Sequence, residues 1–219
     1  MDTARDHVHG ADVVDLERRL WARGGERDAV RAVSILESPA EDEELVHQVA
    51  EGHLDSLGVL FDRYHQPLRT FLSRLQVPAG DLDDLVQSIF MQLPRAARRF
   101  ERGRSVKGWV FGLATIEVKR HRRTLARIAR KVSAFSREPT VKAPRTPADL
   151  VAEEESVQRA RKALADLSLK KREVFVMVVL EKLSGEAVAE ALGIPVGTVW
   201  TRLHHARREL RTLLGEEGL

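Results

Sequence analysis

A chain of 219 residues has room for one or two compact units with tails, and its 32% charged and 5% aromatic side chains favour solvated helices over a β-sandwich. The formal charge of +3 is small, so its distribution along the chain matters more than its sum. With no cysteine, disulfides, thiolate zinc sites and thiol redox sensing are excluded.

The opening MDTARDHVHGADVVDLERR alternates acids and bases without an apolar signal core, and no stretch approaches the ~20 apolar residues of a membrane span. A soluble, cytoplasmic protein without membrane insertion is expected. Residues 1–39 carry one weak helical pattern around 13–36, broken by Gly24 and Gly25 and ended by Ser38 and Pro39. They read as an extension.

From Glu41 the pattern becomes strongly helical, with Leu45, Val49, Leu57, Leu60, Phe61, Tyr64, Leu68, Phe71, Leu72 and Leu75 at three- and four-residue steps. Pro78, Ala79 and Gly80 close that segment. The acids Asp81, Asp83 and Asp84 suit the positive end of a new helix through Leu85, Ile89, Phe90 and Leu93 better than they suit a metal site. Pro94 removes a backbone hydrogen bond there, which predicts a kink or an early stop. After the loop Glu101-Arg102-Gly103-Arg104, Ser105 is the expected N-cap of a helix over 106–123. Its apolar face is expected to include Trp109, Leu113 and Ile116.

Residues 40–125 thus form a first helical domain. A basic, proline-containing linker is expected at 126–154, where Pro139, Pro144 and Pro147 accumulate, and a second helical domain at 155–219. The predicted fold class is all-α, with two helical domains joined by a flexible linker.

In LSGEAVAEALGIPVGTVWTRLHHARRELRTLL, two helical patterns meet at Gly193. Ser184 is placed to cap the first, and Gly193 to end it in the left-handed conformation. Helices joined this tightly form a helix-turn-helix whose second member can enter a major groove. On that second helix Val196, Val199, Leu203, Ala206, Leu210 and Leu213 make one inward stripe. Gly197, Thr201, His204 and Arg208 point the opposite way, Arg202 and Arg207 flank the stripe, and Trp200 takes its shoulder. A second basic concentration spans Arg95 to Lys131 beside Phe100, Trp109 and Phe111, the mixture that single-stranded nucleic acid requires. No HExxH, no phosphate loop and no Ser/His/Asp set is present, so neither catalysis nor a metal or other cofactor is expected.

Two stretches together carry a family resemblance. DLDDLVQSIFMQL with RRFERGRSVKGWVFGLA resembles region 2 of bacterial extracytoplasmic-function (ECF) sigma factors, and ALADLSLKKREVFVMVVLEKLSGEAVAEALGIPVGTVWTRLHHARREL resembles their region 4. The resemblance implies a dissociable, non-enzymatic subunit of RNA polymerase that recognises promoter DNA and opens it. It implies docking on the clamp helices of the largest catalytic subunit through Asp84, Leu85, Gln87, Ser88, Met91 and Gln92. Phe100, Arg102, Arg104, Ser105, Ile116, Lys119, Arg120 and Arg123 would take the melted −10 element. Trp200, Thr201, Arg202, His204, His205 and Arg208 would read the −35 duplex, and an anti-sigma factor is a further partner that many family members have.

Three positions depart from the family pattern: Ile116 where Asn often lines the pocket for a flipped base, Pro94 inside the docking helix, and Trp200 after GTV where Lys or Arg is common. The competing reading is a helix-turn-helix regulator that works on duplex DNA without polymerase. It leaves the DLVQ and WVFG segments without a role.

Overall fold

The computed structural model describes residues 39–135 and 155–214, and all regular structure among them is helical. The pattern expected at 13–36 and most of the expected linker lie outside the described residues. The first unit contains α1 (Pro39–Glu51), α2 (Leu54–Arg74), α3 (Leu82–Ala97) and α4 (Val106–Phe135). The second contains α5 (Glu155–Asp166), α6 (Leu169–Phe175), α7 (Gly185–Leu192) and α8 (Val196–Leu214).

Gly52, at φ +104, separates α1 from α2 in a conformation that L side chains avoid. Tyr64 and Arg63 of α2 then tie the helices together, because both donate to the buried carboxylate of Asp42 on α1. The same burial and the adjacent carboxylate push the Tyr64 phenol well above its ordinary range. Phe71 of α2 stacks on Phe111 of α4 with centroids 4.4 Å apart, at the centre of a core that α3 completes with Leu85, Ile89 and Leu93.

Two expectations about helix ends are corrected. Helix α3 does not stop at Pro94 but runs on to Ala97, since the ring removes one bond near the end while buried Leu93 and Ala97 still anchor the last turn. Helix α4 continues past 125 to Phe135, ten residues into the stretch expected to be linker. Its exposed residues there, from Arg123 to Arg130, are mostly strong helix formers, so propensity sustains the helix without packing.

In the second unit, α6 passes into a π-helical turn at Val176–Leu180, where the Glu181 N–H donates to the Val176 carbonyl at 2.9 Å. Ser184 caps α7 by accepting from the Ala187 N–H at 3.1 Å. Gly193, at φ 63 and ψ 41, ends α7 in a Schellman arrangement, with Gly193 donating to Glu190 and Ile194 to Ala189. On α8 the inward stripe is shorter than expected. Val199, Leu203, Ala206 and Leu210 are buried, whereas Val196 and Leu213 at its ends are exposed because no neighbour reaches the first or last turn.

The two units pack directly on one another through α4 and α7, and their apolar side chains form one continuous core. Arg172 of α6 lies at this junction. It is buried and donates to the carbonyls of Leu164, Ala165 and Leu167 at the end of α5, and across to Leu75 at the end of α2. Burial pushes its guanidinium down to about 10, aided by repulsion from Arg122.

Candidate nucleic-acid interface

Residues of α8 divide cleanly by register. With Val199, Leu203, Ala206 and Leu210 inward, Thr201, His204, His205 and Arg208 are exposed on the outer face. The Thr201 hydroxyl donates back to the Gly197 carbonyl at 2.9 Å, and the rings of His204 and His205 meet edge to face at 5.7 Å. Trp200 is 47% exposed. Its six-membered ring rests against Gly185, where a Cβ would stand 2.4 Å from Cζ2. The shoulder position is therefore occupied as expected, with the indole fixed by the first turn of α7 and its outer edge in solvent. Arg202 flanks the stripe and pairs with Glu173 at 3.7 Å.

On α3, Asp84, Gln87 and Met91 form one exposed row, Met91 at 76%. Ser88 and Gln92 beside it converge on Glu117 of α4, at 3.2 and 3.1 Å. Leu85 belongs to the core, 5% exposed, because its place in the helical period faces inward.

The loop and helix expected to take a single strand are arranged around α4. Ser105 is its N-cap, accepting from the Gly108 N–H at 3.0 Å. Arg120 pairs with Glu117 at 2.8 Å, Lys119 with Glu173 at 2.9 Å, Arg102 with Glu44 at 3.7 Å, and Arg104 with Glu190. Arg123 is exposed. Phe100 departs from the expected role: it is 6% exposed, edge to face with Trp109 at 5.1 Å and with His47 at 6.2 Å, so no face of its ring is free for a base. The apolar face of α4 also differs. Val106, Val110, Phe111, Ala114 and Val118 are buried, while Trp109 is half-buried and Ile116 is 60% exposed. Trp109, Leu113 and Ile116 instead line a cavity of about 190 Å³ against α7.

The acids at the start of α3 are engaged by bases: Asp83 by Arg69 at 2.8 Å and Asp81 by His121 at 3.1 Å. Sequence reasoning missed Glu117, Glu173, Glu181 and Glu190 as organisers of this surface. The signal for Glu117 was its isolation as an acid within a basic run. For the other three no local signal exists, because the first-unit cations they meet, Lys119, Lys107 and Arg104, are distant in sequence.

Among the described residues no helix is long and apolar enough to cross a membrane. The family models "Sigma-70 region 2" and "Sigma-70, region 4" match residues 60–128 and 157–210. The chain is 28% identical over 176 residues to the ECF RNA polymerase sigma-E factor of Escherichia coli (strain K12), covering 77% of this chain and 92% of that one. It is likewise 28% identical over 178 residues to the ECF RNA polymerase sigma factor SigK of Mycobacterium sp. (strain JLS), covering 78% and 89%. Among solved structures, CnrH in complex with the cytosolic domain of CnrY superposes with a TM-score of 0.60 at 24% identity, over 81% of this chain and 99% of that one. The sigma factor RpoE in complex with the anti-sigma factor NepR, from Bartonella quintana, gives 0.56 at 25% identity over 72% and 95%. With regions 2 and 4 matched in order on an all-helical fold, this chain belongs to the ECF group of RNA polymerase sigma factors.

Proposed function

We propose that the two units divide promoter recognition between them, with three separate faces. The outer face of α8 reads −35 duplex through Thr201, His204, His205 and Arg208, with Arg202 and Trp200 on its flanks. The α4 face and the loop before it, through Arg102, Arg104, Ser105, Ile116, Lys119, Arg120 and Arg123, hold the melted −10 strand. The exposed row Asp84, Gln87 and Met91 with Ser88 and Gln92 docks on the clamp helices of the largest polymerase subunit. Phe100 and Leu85 act from the core, by holding these surfaces in place.

The observation that carries this reading is the separation on α8 between a buried apolar stripe and an opposite row of exposed polar and cationic side chains, one step past a tight turn. Such a helix presents donors to base edges and phosphates without loosening its own packing. Ile116 offers an apolar side chain where a flipped base would otherwise meet an amide, which favours shape and stacking over hydrogen bonding at that position. The protein catalyses no step of its own; polymerase makes the RNA. It works at the nucleoid, and an anti-sigma protein, as bound to RpoE of B. quintana, is its expected antagonist.

Run-off transcription on fragmented genomic DNA with purified core polymerase tests the reading. Discrete start sites that appear only with the protein support it. Failure to bind core or to start transcription under any condition leaves the regulator reading in its place.

A further inference from the structure

We propose that α1 is the platform on which the −10 loop takes its shape, with Glu43 as the positioning residue. This rests on the assignment of that loop to the melted strand and adds a residue from outside it. Helix α1 lies ahead of residues 60–128, the stretch matched to region 2.

The loop between α3 and α4 does not hold itself. Among the described residues no backbone–backbone hydrogen bond ties Glu101, Arg102, Gly103 or Arg104. A segment without such bonds samples many shapes, and ordering it on a ligand lowers affinity. Side chains of α1 supply what the loop backbone lacks, in antiparallel register. His47 meets Phe100 edge to face at 6.2 Å, Glu44 pairs with Arg102 at 3.7 Å, and Glu43 accepts from the Gly103 N–H at 3.0 Å. Read from His47 back to Glu43, α1 meets the loop from Phe100 forward to Gly103.

These contacts differ in kind. The Glu44–Arg102 pair is well exposed, so water screens it and phosphate can replace it. Glu43 instead holds backbone through a charge-assisted hydrogen bond. Gly103, at φ +81, is where the loop turns, and Arg102 and Arg104 flank it, so fixing this amide fixes where both cations leave the chain. The platform is anchored in its own right. Asp42, beside Glu43, is buried and receives Arg63 and Tyr64 of α2, and Val46 and Val49 of α1 lie in the core. Positioning and charge predict opposite results at this site. An anion near the strand repels phosphate, so charge alone would make loss of Glu43 strengthen binding to any sequence. Positioning makes the same loss weaken discrimination between sequences.

The test uses the full chain assembled with core polymerase. The probes are a fluorescent single strand spanning the −10 element of a promoter taken from the mapped start sites, and a scrambled strand of the same composition. Glu43→Ala removes the acceptor while keeping a strong helix former in α1, and Glu43→Gln keeps a carbonyl acceptor without the charge. Preference for the −10 strand over the scrambled one should fall about fivefold in Glu43→Ala and be largely restored in Glu43→Gln. Hydrogen exchange at the Gly103 amide of the free chain should quicken in the first variant and stay near the original rate in the second. An equal change in both variants overturns the proposal, since charge would then be the cause. A preference that survives Glu43→Ala removes the platform alone, whereas an unmodified chain with no preference for the −10 strand removes the parent assignment and the platform with it.

Discussion

Trp200 on α8 rests on Gly185 of α7, and no other residue fits beneath the indole, since a single Cβ at 185 would come within 2.4 Å of the ring. The helix-turn-helix is thereby braced on its outer shoulder as well as through its buried stripe. Trp200→Lys leaves Val199, Leu203, Ala206 and Leu210 in place, so the unit should remain folded with a loss of about 1–2 kcal/mol from the half-buried ring. Thermal unfolding followed by circular dichroism checks this, and an unfolded second unit would show the indole to be core. Gly185→Ala should instead keep the tryptophan but displace it, seen as a shift in its fluorescence together with weaker binding to promoter duplex.

Arg208 is exposed on the outer row of α8, opposite the buried stripe. Arg208→Ala should weaken promoter duplex binding and reduce the slope of log affinity against log salt by about one, the release of one counterion. Titrations at several salt concentrations measure it. An unchanged slope would mean that this face does not meet phosphate.

Arg172 satisfies four carbonyls from two units and is 4% exposed. Arg172→Met fills similar volume but takes this donor from the Leu164, Ala165 and Leu167 carbonyls, while Leu75 keeps Arg122, and should cost about 3 kcal/mol or more in denaturant unfolding. Arg172→Lys should recover only part of this, since an ammonium cannot reproduce a planar fork.

Glu117 gathers Ser88 and Gln92 of α3 and Arg120 of α4 around one buried carboxylate. Glu117→Gln keeps the shape but removes the charge that holds Arg120. We expect weaker binding to core polymerase and less transcript, with duplex binding by α8 unchanged. Gel filtration with core and a duplex titration separate the two effects. Equal loss in both would place Glu117 in general stability only.

Much of this fold was legible locally. Ser105 and Ser184 are capping residues followed by helical periodicity, Gly193 requires a left-handed backbone, and the alternating three and four steps of α8 locate its inner stripe without reference to any neighbour. What was not legible depends on distant chain. Phe100 is buried because His47 of α1 and Trp109 close on the loop before α4, and Ile116 stays exposed although α7 packs beside it; periodicity within α4 specifies neither. Pro94 misled for a related reason: the rule for proline weighs the lost bond, and the packing of Leu93 and Ala97 outweighs it. The pairing of Lys119 and Arg202 through Glu173 could not be foreseen, because each looks locally like a cation free for phosphate.

Promoter melting is where the duplex-reading and strand-holding assignments meet. The direct measurement is permanganate reactivity of thymines on a promoter taken from the mapped start sites, with core polymerase alone, with core and this protein, and with core and the Lys119→Ala, Arg123→Ala variant. Thymines of the −10 element should become reactive only when the protein is present, and lose most of that reactivity with the double variant. Reactivity that is the same with and without the protein, or unaffected by losing both cations, would contradict the assignment of α4 to the melted strand.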